Sequence, residues 1–289
     1  MTRPGWLALA PAMFCCLWAG GYVVAKIGIL YAEPLTLLVI RYGLVVILMA
    51  VLFVIFRPPL PTRAADWGHL AVVGVLIQTV YFGFSYLAFR DGVASGTVAL
   101  VMSLQPVLVA ILAPLWTTET VGWQRWGGLA LGLAGTVLVI TARSAISLPS
   151  AIGLAFCAMG LAGMTAATLW EKRFGLSHHP ITANLVGFLA GLAGILPFAL
   201  ILESQTIQWT GSFMGALAYL VIGNSLIATS LLLAMIRFGE VSKVSALLFL
   251  VPPLAALLAW ITLGEEMPPL AWAGMAMAGV GVLVATRAR

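Results

Sequence analysis

SLQPVLVAILAPLWTTE, Ser103 to Glu119, and LVPPLAALLAWITLGEE, Leu250 to Glu266, decide how this chain is built. Each is an apolar run that carries proline inside it and closes on an acid. Pro106 and Pro253 stand 147 residues apart, and so do Glu119 and Glu266. Proline within a helix removes a backbone donor and frees a carbonyl one turn earlier, so both prolines read as helix kinks. The same awkward residue at the same distance from the same acid marks the two runs as copies of one unit.

The copy extends well beyond those runs. Arg90 to Val139 aligns without a gap onto Arg237 to Thr286, matching Arg90 with Arg237, Gly92 with Gly239, Ser95 with Ser242, Gly127 with Gly274 and Gly132 with Gly279. At an offset of 146, Lys26 pairs with Lys172 and Pro34 with Pro180. Residues 1–147 and 148–289 are therefore read as two versions of one unit.

Composition identifies the solvent. The chain is 62% hydrophobic and 8% charged, with mean hydropathy +1.11, whereas soluble domains are about a quarter charged. A hydrocarbon core about 30 Å thick needs roughly 20 apolar residues per helical crossing, and helices satisfy their own backbone groups in lipid. Apolar runs fall near 6–28, 34–56, 67–88, 93–115, 122–142, 150–171, 181–202, 212–236, 243–263 and 270–286. The expected fold is all-α and integral to the membrane, with ten transmembrane helices. Five spans per copy is an odd number, so the second copy enters the bilayer from the opposite side and the repeats are inverted.

Lysine and arginine set the orientation. With the N-terminus inside, inner loops and tails hold Arg3, Arg57, Arg63, Arg125, Lys172, Arg173, Arg237, Lys243, Arg287 and Arg289 of the fourteen basic residues. Both termini are thus expected in the cytoplasm. The net charge of +5 follows from these topology signals and anionic lipid, and it requires no nucleic-acid partner. The first run is too long for a signal-peptide core and lacks a small-x-small cleavage site. Cys15, Cys16 and Cys157 sit inside apolar runs as small hydrophobes, with no metal spacing. The pair His178-His179 precedes Pro180 without acidic company and reads as solvent-exposed, with no metal.

Spacing selects the candidate site. Trp18, Tyr22 and Lys26 recur at four-residue steps along one face of the first helix, and Gln78, Tyr81 and Ser85 share a face of the third. Polar and amphipathic groups within spans usually face a bundle interior or a cavity, although aromatic belts at the head groups are the alternative. Thr165, Thr168 and Trp170 on the sixth helix, and Asn224, Ser225 and Thr229 on the eighth, are the second copy's candidates, with helix–helix hydrogen bonds an equal explanation. Lys26 divides between snorkelling and a gate or carboxylate partner. Arg41, costly within a span, points to a partner such as Glu33 or an outer vestibule. Glu119 and Glu266 read as solvated loop charges. Gly127, Gly128, Gly132 and Gly135, echoed by Gly274, Gly279 and Gly281, give small-xxx-small spacing for close helix packing.

At WAGGYVVAK, residues 18–26, and at the two proline-to-glutamate blocks, the chain resembles the EamA family of the drug/metabolite transporter superfamily. The likeness covers nearly the whole length, and departs from the usual glycine-glutamate at Thr117-Thr118-Glu119. The resemblance implies ten helices, cytoplasmic termini and export of small metabolites, with the aromatic and neutral amino acid exporters the best match. The location it suggests is a bacterial inner membrane, and the expected state is a monomer.

No span carries a catalytic set, a selectivity-filter sequence or a ring of charges, which disfavours an enzyme and a channel. The expected function is export by alternating access about a central apolar-aromatic cavity, as uniport or exchange and without a cofactor. An amino acid fits it, with its carboxylate near Lys26 or a helix N-terminus and its ammonium near carbonyls freed at Pro106 or Pro253. The nine acids all fall at or near span ends, which leaves no buried proton carrier. Proton-coupled efflux is the alternative, resting on Glu171 lying deeper, and a small-solute channel is the remote one.

Overall fold

A computed structural model describes residues 9–93, 95–143, 150–174, 178–238, 241–263 and 266–287. Arg3, Gly239, Glu240, Glu265 and Arg289 therefore lie outside the described residues, as do the side chains of Ser95, Arg143 and Ser242. The described residues form helices α1 (Ala10–Gly28), α2 (Pro34–Phe56), α3 (Ala64–Arg90), α4 (Ser95–Met102), α5 (Gln105–Trp116), α6 (Trp123–Arg143), α7 (Ala151–Phe174), α8 (Pro180–Leu202), α9 (Gly211–Phe238), α10 (Val241–Ala246), α11 (Val251–Leu263) and α12 (Pro269–Arg287). Eight of them are long and apolar enough to cross a membrane. Two shorter apolar stretches, Leu100–Trp116 and Lys243–Leu258, accompany them.

The first proline run is interrupted by a turn, and the second is tightened by a 3₁₀ segment. A turn at Ser103-Leu104 separates α4 from α5, and Pro106 falls in the first turn of α5, where its missing N–H has no helical partner to lose. In the second copy, a 3₁₀ segment over Leu247–Leu250 separates α10 from α11. Pro253 lies in the first turn after it. The carbonyl it leaves open, that of Phe249, accepts from Thr136 Oγ1 at 3.1 Å. That carbonyl is satisfied within the protein and is not left for a ligand's ammonium.

α3 and α9 share another irregularity. Val75–Phe82 and Leu220–Ala228 are π-helical, in corresponding positions of the two copies. Such wide turns are rare and concentrate at functional sites.

Helix ends are fastened crosswise. Glu203, just past the end of α8, accepts from the backbone N–H groups of Leu35 and Thr36 at 2.9 and 2.7 Å, and from the Thr36 hydroxyl at 2.8 Å. A carboxylate here caps the start of α2 and meets the positive end of its dipole. At the opposite face, Thr182 near the start of α8 donates to the Pro59 carbonyl beyond the end of α2. α2 and α8 therefore run antiparallel, each starting where the other ends. Glu33 accepts from Ser204 N and Oγ, and Ala32 pairs with Ile207.

α6 and α12 pack at backbone contact. A Cβ on Gly128 would lie 2.4 Å from Ala285 N, one on Gly135 2.3 Å from Ala278 N, and one on Gly281 2.3 Å from Gly132 N. Gly127 and Gly279 face away from this contact. The glycine face joins the last helix of one half to the last helix of the other. Ala110, Leu129, Ala246, Phe249, Val282 and Ala285 form a separate small core around it. Exposed Ile47, Val54 and Ile55 on α2, and Leu200 and Ile201 on α8, face outward as lipid-exposed surface.

Candidate functional site

α1, α2, α3 and α9 border a narrow cavity of about 20 Å³, lined by Trp18, Tyr22, Arg41, Tyr81, Phe82, Ser85, Tyr86, Phe89 and Asn224. Gly20 and Gly21 on α1 admit α9, because a Cβ at either would lie 2.2 Å from the Tyr219 hydroxyl or 2.3 Å from Asn224 Nδ2. The rings of Trp18 and Tyr81 stack with centroids 6.3 Å apart, and Trp18 also meets Phe82 at 5.8 Å. The Tyr22 and Tyr81 hydroxyls share a hydrogen bond of 2.9 Å. Ser85 turns its hydroxyl to the Tyr81 carbonyl at 2.6 Å. Five of the residues singled out in the sequence thus share one wall: Trp18, Tyr22, Tyr81 and Ser85 by their spacing, and Asn224 as a polar group within a span.

Arg41 completes it. The side chain is 1% exposed, two turns inside α2. Its Nε donates to Ser225 Oγ at 2.7 Å and its Nη2 to Asn224 Oδ1 at 2.6 Å. The guanidinium also lies 4.7 Å from the Phe82 ring centroid, a cation–π contact. Glu33 is engaged with Ser204 instead, so the expected partner of Arg41 is replaced by the polar pair on α9. Ser225 serves this cavity through Arg41.

Other candidates lie elsewhere. Gln78 lines a second cavity with Leu70, Ile77, Glu171, Asn184, Phe188 and Arg237. Tyr42 stands between the two cavities, its hydroxyl donating to the Gln78 carbonyl at 3.0 Å and its ring 5.6 Å from Phe188. Thr165 and Thr168 donate to carbonyls of their own helix, and Thr168 Oγ1 accepts from Gln105 Nε2 at 3.3 Å. Trp170 joins His69 and Phe174 in an aromatic cluster. Lys26 is exposed in the last turn of α1.

Three loop and end readings are corrected. Glu171 is 1% exposed and ion-paired with Arg237 in the second cavity, so the span-end acids include a buried one. Glu119 accepts from Val241 N at 2.7 Å and lies 3.6 Å from Lys172 Nζ, capping α10 rather than standing in solvent, whereas Glu266 is exposed. His178 is half-buried 3.9 Å from Asp66, and its carbonyl accepts from Arg237. Among the described residues no group of three potential metal ligands occurs.

The profile of the EamA-like transporter family matches residues 4–141 and again 149–287. A Salmonella typhimurium protein named "Probable amino-acid metabolite efflux pump" is 26% identical over 296 residues, covering 98% of this chain and 93% of that one. "Uncharacterized transporter YvbV" of Bacillus subtilis is 25% identical over 261 residues, covering 90% and 85%. "Uncharacterized inner membrane transporter YedA" of Escherichia coli is 24% identical over 288 residues, covering 97% and 91%. A solved structure described as "Crystal structure of protein" superposes with a TM-score of 0.82 at 21% identity, covering 98% of this chain and 97% of its own, which is a likeness of fold.

Proposed function

The chain belongs to the EamA-like transporter family, and on that premise we propose that it exports small metabolites, aromatic and neutral amino acids first among them. The observation that carries this reading is the aromatic-walled cavity between α1, α2, α3 and α9, which offers apolar surface with few polar groups, as small-molecule sites do. The name of the Salmonella relative supports the substrate class.

Alternating access about this cavity is the proposed mechanism. Two inverted halves of five crossings each, with the pairs α4–α5 and α10–α11 completing ten, would rock about a central site. Matching π-helical segments, helix irregularities at both proline runs and the antiparallel fastening of α2 to α8 support that arrangement. The protein acts as a monomer in a bacterial inner membrane with both termini cytoplasmic, and works as a uniporter or exchanger. The deciding experiment is efflux of labelled amino acids from proteoliposomes, set beside nucleotide sugars and hydrophobic cations. Inactivity towards every amino acid rejects the substrate class.

Proton-coupled efflux is the second reading, favoured by buried Glu171. Counterflow at equal pH on both sides, then with an imposed gradient, separates the two. Uptake that requires the gradient and disappears in Glu171→Gln establishes coupling; uptake at equal pH establishes uniport or exchange.

A further inference from the structure

Arg41 brings one full positive charge into the cavity, and among the described residues no Asp or Glu lines it. A buried charge without an opposite charge is costly, and Ser225, Asn224 and the Phe82 ring compensate it as dipoles do, without neutralising it. The third guanidinium nitrogen, Nη1, is buried and has no hydrogen-bond partner. The Tyr86 hydroxyl is likewise buried and lies beside the guanidinium; towards Arg41 its oxygen can only accept, which leaves its O–H proton over. The Tyr22–Tyr81 pair shares one hydrogen bond between two hydroxyls, which leaves one further O–H proton over. Each of these groups thus has a donor to spare, and the guanidinium nitrogen can only donate.

Strong acceptors are few, the lining being neutral apart from Arg41. The Tyr81 carbonyl takes Ser85 at 2.6 Å, and Asn224 Oδ1 and Ser225 Oγ take Arg41. An ammonium group carries three donors and a positive charge, so this wall offers it only neutral hydroxyl oxygens and ring faces, beside a guanidinium that repels it. A carboxylate, with two oxygens and four lone-pair positions, complements Nη1, Tyr86 and the spare tyrosine proton.

We propose that Arg41 and Tyr86 form a carboxylate subsite, and that the substrate class is an apolar or aromatic monocarboxylate whose amino group contributes little to recognition. This rests on the transport reading above and narrows it. The carboxylate lies against the Arg41 guanidinium, and the tail packs against Trp18, Tyr81 and Phe82.

The test uses the full chain in proteoliposomes, with labelled phenylalanine and labelled 3-phenylpropionate in counterflow. Unlabelled 3-phenylpropionate, phenylalaninamide and phenethylamine serve as competitors. The expected result is that 3-phenylpropionate competes within about threefold of phenylalanine, while the amide and the amine are weaker by about 100-fold, the loss of a charge-assisted pair. Arg41→Gln should erase that discrimination, and Arg41→Lys should keep part of it, since lysine offers a point charge without the guanidinium fork. Because a variant can fail to fold, the competitor series on the unaltered chain stands alone as a test. If phenethylamine competes as well as 3-phenylpropionate, the subsite is overturned while amino acid export survives. If 3-phenylpropionate moves and phenylalanine does not, the subsite stands and amino acid export falls. If neither moves and neither competes, both fall.

Discussion

Arg41 and Arg237 both sit on membrane helices with one guanidinium nitrogen lacking a hydrogen-bond partner, yet only Arg237 faces an acid. They line separate cavities on either side of Tyr42, toward opposite ends of α3. Around Arg237, Glu171 supplies the opposite charge and the His178 carbonyl a further acceptor, so the charges cancel between α7 and α9. Around Arg41, the partners are an amide, a hydroxyl and a ring. The difference separates a fastening whose charges cancel from a position that is electrically incomplete until something enters it.

The largest expected effect is on stability, and it has opposite character at the two sites. Arg237→Met strands the Glu171 carboxylate in a buried cavity and should lower unfolding stability by about 3 kcal/mol. Arg41→Met removes a charge that had no acid, and should change stability by less than about 1 kcal/mol. Thermal unfolding in detergent micelles reads both, and equal losses would erase the distinction. Next in size is a pair of tryptophans. Trp18→Ala takes away a cavity wall and should weaken substrate binding about 30-fold, whereas Trp170→Ala, in the cluster with His69 and Phe174, should leave affinity unchanged while costing stability. Affinities from counterflow that fall together would place both in packing. The smallest is Tyr81→Phe, which removes the hydrogen bond to Tyr22 and keeps the ring. About 1 kcal/mol, or roughly a fivefold loss of affinity, is expected, and no loss would take the hydroxyl pair out of recognition.

Much of this was legible in the residues because bilayers enforce simple rules. Apolar runs had to be helices, and the spacing of Trp18 and Tyr22, or of Tyr81 and Ser85, placed them on common faces that do line one cavity. Gln78 shows where that arithmetic stops. A 3.6-residue period sets it beside Tyr81, but the π-helical turn over Val75–Phe82 widens the spiral and delivers Gln78 to the other cavity. Arg41 drew notice as a charge within a span, yet its partners are 183 and 184 residues away, beyond the reach of any local pattern. Glu171 was placed near a span end, which is correct along the axis; the burial comes from α9 closing over it with Arg237. Pro106 and Pro253 announced a departure from ideal helix, and only the structure shows a turn at one and a 3₁₀ segment at the other, with Thr136 taking up the Phe249 carbonyl.

With Arg41 held on α2 and no acid lining the cavity among the described residues, the cavity's charge is set by its occupant. A monocarboxylate neutralises the site and carries one negative charge through the bilayer in each turnover, whereas a zwitterion carries none. Across a membrane polarised to −100 mV inside, one elementary charge is worth about 2.3 kcal/mol, or roughly 50-fold accumulation on the outer side. For such an occupant the resting potential itself drives export, and voltage, rather than a proton held on a carboxylate, sets the direction of transport.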